Sequence, residues 1–223
     1  MLAEWLLQIG VKEFALFVSS VMIFAMTPGI DTVFVLNRAI SHGKAIGAFA
    51  SLGVATGVLV HTLFAAVGLA AVVAKSALLF SVIKYLGAAY LVYLGVVSIY
   101  TALKNPQALA MNAADAANPE KIIKPIQAFY SGLLTNVLNP KVALFFLAFF
   151  PQFITPSMST QALPYLVLGA LYAVISAVWL VLLAVLAGSI LAKWLVSLKA
   201  KKVMDIGSGV VFVGMGAKVA LSD

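Results

Sequence analysis

Six apolar runs, each long enough to cross a lipid bilayer, constrain this chain more than any other feature. They fall at about 14–37, 44–73, 77–101, 126–150, 163–191 and 203–221. A hydrocarbon layer about 30 Å thick needs about 20 mostly apolar residues in a helix. Lipid offers no hydrogen bonds, so the backbone must satisfy itself, and runs of this length read as helices. The second and fifth runs are long enough to tilt. Charged residues are 9% of the 223, and mean hydropathy is +1.12. An average soluble domain carries roughly 25%. A soluble enzyme, a disordered chain and a nucleic-acid-binding domain are thereby excluded. The net charge of +7 comes mostly from lysines flanking the apolar runs. That pattern reads as orientation in a bilayer, with no nucleic-acid partner. Cysteine is absent, which excludes disulfides, thiol redox chemistry and thiolate metal sites. Two histidines and seven carboxylates leave little for a catalytic cluster, so no enzyme activity, cofactor or metal is expected.

The amino terminus lacks the marks of a cleaved signal. Glu4, Lys12 and Glu13 give no net positive region, and no small-x-small site follows Phe14. Residues 102–125 form the longest polar stretch, with Asn105-Pro106 and Asn118-Pro119. They read as a linker between a first three-helix unit, 1–101, and a second, 126–223. Orientation follows from basic residues counted by side. Loops after the first, third and fifth runs hold Arg38, Lys44, Lys104, Lys121, Lys124, Lys193, Lys199, Lys201 and Lys202, nine in all. The other side holds three, Lys12, Lys75 and Lys218. The nine belong in the cytoplasm, with both termini outside, in a multi-pass inner-membrane protein.

The two units resemble each other. Shifting the sequence by 112 positions aligns Phe17 with Phe129, Ser19 with Ser131, Pro28 with Pro140 and Gly57 with Gly169, among eight identities in 49 positions. The count is weak in so biased a composition. A proline opposite a proline inside an apolar helix carries more. Three spans is an odd number, so the second unit must enter the membrane inverted. The expected fold is therefore all-α, six transmembrane helices as two inverted three-helix repeats, an architecture of secondary transporters.

Two motifs sit mid-run: Thr27-Pro28-Gly29-Ile30-Asp31 and Asn136-Val137-Leu138-Asn139-Pro140-Lys141. A proline inside a helix removes one hydrogen bond and clashes with the carbonyl four residues back. Carbonyls near Phe24 and Asn136 are freed, and irregular backbone at this depth must face protein or a watery cavity. Gly29 adds backbone freedom. Each span then reads as two half-helices, whose amino ends attract anions and whose carbonyl ends attract cations. An acid, Asp31, and a base, Lys141, stand beside the breaks. Each costs about 2.5–3.5 kcal/mol at helix centre, which marks an ionisable group there as functional by default. The bland alternative is a buried Asp31–Lys141 ion pair that locks two helices.

Other polar residues have plainer readings. His61 lies on the same helix face as Gly53 and Gly57, at a spacing of four. It is a candidate proton relay, but a hydrogen-bonded packing residue is the simpler reading. Lys84 can snorkel to the surface. Asp205 reads as a surface ion-pair partner of Lys201 and Lys202. Trp5, Tyr85, Tyr165 and Trp194 read as interfacial anchors. Gly207, Gly209, Gly214 and Gly216 make the sixth helix smooth, for packing within the chain or for a homodimer.

At these motifs the chain resembles the lysine exporter (LysE/RhtB-type) family of amino-acid efflux proteins. The resemblance spans nearly the whole chain. It rests on TPGIDTVFVL, RAISHGKAIGAFASLGVATGVLVH, KYLGAAYLVYLGV and, most specifically, LLTNVLNPKVALFFLAFFPQFI. It implies a six-helix fold and export of amino acids or close derivatives, driven by protons. Ile30 departs from the Pro-Gly-Pro that members often carry at the first break. On this reading Lys141 and a half-helix amino end hold the substrate carboxylate. Asp31 and freed carbonyls hold the ammonium, and Thr27, Asn136 and Asn139 add neutral hydrogen bonds around Pro28, Gly29 and Pro140. Asp31 carries the proton. A cation exporter is the alternative, weakened by the single intramembrane acid. A non-transport membrane subunit is the other.

Overall fold

A computed structural model describes residues 1–69, 71, 76–104, 123–187 and 198–221. Most of the expected linker, Lys75 and Trp194 lie outside those residues. The helices are α1 (Leu2–Gln8), α2 (Phe14–Met26), α3 (Ile30–His42), α4 (Lys44–Phe64), α5 (Ala77–Lys104), α6 (Pro125–Val137), α7 (Pro140–Ala148), α8 (Ala162–Leu186) and α9 (Leu198–Leu221). A π turn, Ala65–Leu69, extends α4. Among the described residues, four stretches are long and apolar enough to cross a membrane alone, in α4 with its π turn, α5, α8 and α9. The pairs α2–α3 and α6–α7 each qualify as one bent span, and each bends by 53°. Both bends fall at the prolines singled out in the sequence.

The breaks have local causes. Thr27 ends α2 in an extended conformation before Pro28, and Gly29 opens α3. At the second break Asn139 caps α7: its side-chain oxygen accepts the Lys141 amide at 3.0 Å, and Pro140 takes the first helical position, where no amide is needed.

Helix α4 runs through the middle of the bundle, against α3, α6 and α8, while α5 and α9 pair alongside. Two reciprocal glycines let α4 and α6 touch backbone to backbone. A side chain at Gly53 would strike the Phe129 carbonyl, and one at Gly132 the Ala50 carbonyl. Gly53→Val should therefore lower stability by about 3 kcal/mol, the upper end for overpacking. Gly207 meets nothing within 4 Å, so Gly207→Ala should be neutral or slightly stabilising. Melting temperatures in detergent compare the two. On α9 the roles of the glycines divide: Gly209 and Gly216 pack on α5, while Gly207 and Gly214 face open space.

Two buried cores flank the breaks. One is aromatic and lies toward the start of α2 and the end of α7: Phe17, Phe24, Phe145, Phe146, Phe149, Phe150 and Phe153 with Tyr172. Their rings stack or meet edge to face at 4.2–6.4 Å. The other is built of smaller aliphatic groups, Val35, Ala39, Ala50, Val54, Leu183 and Ala184 among them.

Three features differ from the sequence reading. Helix α1 precedes the first span, and an antiparallel bridge joins Val11 to Ile154. Asp205 is buried, at 6% exposure, on α9, and so does not lie at the surface. Its position on a glycine-rich helix that packs closely on α5 encloses it, and Ser98 of α5 donates to its backbone carbonyl at 2.8 Å. Tyr165 is also fully buried and donates its hydroxyl to the Ser159 carbonyl, so it anchors a loop and not a lipid interface. Trp5 and Tyr85 remain exposed.

Candidate functional site

The two breaks meet. Asp31 is the second residue of α3 and Lys141 the second residue of α7, so each charged side chain occupies the same place on its half-helix. Both line one cavity of about 30 Å³, with Phe24, Ala25, Thr27, Gly29, Thr32, Asn139, Val142, Tyr172, Ser176 and Leu180. That is room for about one water. A larger solute does not fit this cavity in this conformation.

Asp31 is held from across the bundle. One carboxylate oxygen, Oδ2, accepts from Asn136 Nδ2 at 2.9 Å and from Asn139 Nδ2 at 3.2 Å. The amino end of α3 also favours a negative charge in its first turn. The second oxygen, Oδ1, is buried with no hydrogen-bond partner among the described residues. A buried acceptor of that kind calls for a donor. An ammonium group, with its three donors, would satisfy it.

Lys141 is placed differently. Its ammonium lies over the Phe24 ring at 4.5 Å and the Phe212 ring at 5.5 Å. It forms no ion pair with Asp31, so the helix-locking reading finds no direct contact behind it. A cation in the first turn of α7 also opposes the helix dipole there. Lysine and helix end thus add their positive potentials at one point, which suits a carboxylate.

His61 supports this arrangement from α4. Its Nε2 donates to the carbonyl of Asn136 at 3.2 Å, so that nitrogen carries a proton. The Asn136 carbonyl also accepts the Asn139 amide at 2.9 Å. The carbonyl freed by Pro140 is thus satisfied by the protein. The ring of His61 stacks on Phe146 at 5.6 Å. Gly57 leaves the space into which the Asn136 side chain fits. Thr27 lines the cavity, and its hydroxyl donates back to the Ile23 carbonyl at 2.6 Å.

Of the residues expected at the site from the sequence, Thr27, Gly29, Asp31, Asn139 and Lys141 line the cavity; Asn136 bonds Asp31 and His61 bonds Asn136 from behind it, while Pro28 and Pro140 break the helices and do not line it. The asparagines hold Asp31 in this conformation. Three contributors were not foreseen: the rings of Phe24, Phe212 and Tyr172. Nothing in sequence spacing shows which faces of α2, α8 and α9 converge on α7.

The profile of the LysE type translocator family matches residues 22–223. The chain belongs to that family. This translocator is 36% identical over 199 residues to the membrane protein YrhP of Bacillus subtilis, across 87% of this chain and 92% of that one. It is 31% identical over 216 residues to a leucine efflux protein of Klebsiella pneumoniae, across 96% of this chain and 97% of that one. A leucine efflux protein of Enterobacter is 30% identical over a like span. No solved structure matches it. The translocator is an all-helical membrane protein with four to six membrane-crossing elements, of an amino-acid efflux family.

Proposed function

We propose that this translocator exports an amino acid or related zwitterion from the cytoplasm across the inner membrane, driven by proton entry. The observation that carries the reading is the shared cavity, where a fixed acid and a fixed base face each other without pairing. The substrate carboxylate rests on Lys141 and the amino end of α7. Its ammonium rests on the second oxygen of Asp31. A proton arriving at Asp31 removes the negative charge that holds the ammonium, and so couples release to proton uptake. One charge crossing 100 mV supplies about 2.3 kcal/mol, enough for a gradient of roughly 45-fold at 1.4 kcal/mol per tenfold.

The two bent spans belong to inverted repeats, 1–101 and 126–223, joined by a cytoplasmic linker, 102–125, with both termini outside. The equal bends and the equivalent places of Asp31 and Lys141 support that symmetry. The aromatic core then lies on the outer side of the cavity and closes it there. A cation cargo is less favoured, because Lys141 puts a positive charge on the same cavity. Enzyme chemistry has no part in the reading.

Proteoliposomes loaded with labelled amino acids and given an acid outer bath test the function. Export that collapses with the pH gradient is expected; metal flux without amino-acid flux would favour the alternative. His61 has a separate test. His61→Leu removes one of the two donors to the Asn136 carbonyl, which keeps the Asn139 amide, and should cost about 1 kcal/mol of stability. His61→Gln keeps a donor in reach. It should melt like the parent and export with weakened proton dependence; unchanged proton dependence would leave His61 a packing residue.

A further inference from the structure

On one side the cavity is closed by rings drawn from both halves of the chain. Phe24 lines it and packs on Phe145 at 4.2 Å. Phe145 meets Phe149 at 4.8 Å, and Phe149 meets Phe153 at 4.6 Å. Phe17, on α2, meets Phe150 and Phe153 edge to face at 5.4 and 5.1 Å. The same buried cluster takes in Leu6, Val11 and Ile154. Packing thus runs unbroken from the cavity to the amino-terminal segment.

There the two halves are tied. Val11 and Ile154 form an antiparallel bridge. The Lys12 amide donates to the Phe153 carbonyl and the Thr155 amide to the Gly10 carbonyl, each at 2.8 Å. Gly10 takes φ +86°, and a side chain on it would strike Met158. Glu13 is the one described non-glycine residue with a positive φ, 51°. Backbone strain of that kind persists only where the surroundings enforce it. The Glu13 carboxylate pairs with Lys218 of α9, and both side chains are about half exposed. Phe17 stands one helical turn beyond Glu13, and Phe153 itself carries one of the bonds, so the tie holds the two rings together. Two hydrogen bonds and an exposed ion pair are each weak, so the tie can be undone and remade.

We infer that residues 10–13 are the latch of the outer gate: they hold Phe17 against Phe150 and Phe153 while the cavity is shut to the outside, and they release residues 153–155 each time it opens there. Release also parts Glu13 from Lys218 and frees the strained backbone at Glu13. This inference rests on the export reading and the orientation above.

The chain holds no cysteine, which makes an engineered disulfide a clean test. Val11 and Ile154 lie between the two bonds, the arrangement in which opposite Cα atoms stand about 4.5 Å apart. A disulfide spans about 4.4–6.8 Å, so Val11→Cys with Ile154→Cys can be bridged without moving the backbone. Proteoliposomes holding the full chain are assayed for counterflow of labelled leucine, alanine, lysine and glutamate, with a free-thiol count to show that the bridge is complete. Reduced, the double variant should carry whichever of these the parent carries, within about twofold, because cysteine behaves as a small apolar group. Oxidised, it should be at least about tenfold slower, with flux restored by reductant, because a locked gate stops release. Each single variant, treated alike, should be unaffected. A second measurement does not need the double variant. Cys in place of Ile154, a residue 2% exposed, should react with a membrane-impermeant maleimide several-fold faster during transport than at rest. Undiminished flux with every thiol consumed, or labelling at one slow rate with and without transport, would overturn the latch and leave export standing. No flux of any of the four by the parent would overturn export itself, and the latch with it.

Discussion

Asp31→Asn should abolish proton-driven export and leave the fold intact. The substitution keeps the shape of the side chain. Its amide oxygen can still accept from Asn136 and Asn139, which now hold Oδ2 at 2.9 and 3.2 Å. Removing a buried charge also removes its desolvation cost, so the melting temperature should hold or rise. Function loses both roles of the residue. The substrate ammonium meets no countercharge, a loss of about 3 kcal/mol on insertion scales, or roughly 100-fold in transport. No carboxylate remains to take the proton. Initial export rates with and without a pH gradient, beside melting curves in detergent, check both halves. A variant that exports at the parental rate and still follows the gradient would remove Asp31 from the mechanism.

Lys141→Met should be the second severe loss, with a different signature. Methionine is of similar length and makes favourable contacts with aromatic rings, so it can lie against Phe24 and Phe212 as the lysine stem does. The fold should survive. The substrate carboxylate then faces only the amino end of α7, and transport should fall by roughly 100-fold. An amino alcohol, which has the ammonium but no carboxylate, separates the roles. The parent should carry it poorly, and Lys141→Met should carry it no worse. If Lys141→Met slows acid and alcohol alike, the lysine is serving the ammonium end or the fold. Lys141→Arg should not rescue, because a planar guanidinium needs a broader site than a cavity of about 30 Å³.

Much of this architecture was legible in the residues. Thr27-Pro28-Gly29 and Asn139-Pro140 announce broken spans because proline and glycine act locally, and both bends appear where they stand. Asp31 and Lys141 stand out because charge is costly in lipid wherever the neighbouring helices lie. What could not be read is set by crossings between helices. Asp205 is buried because α9 packs closely on α5, a fact no heptad or charge count within α9 contains. Tyr165 looked like an anchor at a helix end, yet a loop folds back to take its hydroxyl. The aromatic groups around Lys141 come from α2, α8 and α9, and their sequence spacing does not reveal that they meet. Asn136 and Asn139 were expected to touch substrate. In this conformation both amides donate to Asp31 on α3, a contact between two half-helices that spacing within α6 and α7 does not contain.

The central claim is that the two interrupted spans present one acid and one base to the two ends of a single substrate. An experimental structure of the translocator with an amino acid bound tests it most directly. The account predicts the substrate carboxylate at about 2.7–3.2 Å from the Lys141 ammonium and the substrate ammonium at a like distance from Asp31. A substrate seated on another surface, with Asp31 and Lys141 both untouched, would contradict it.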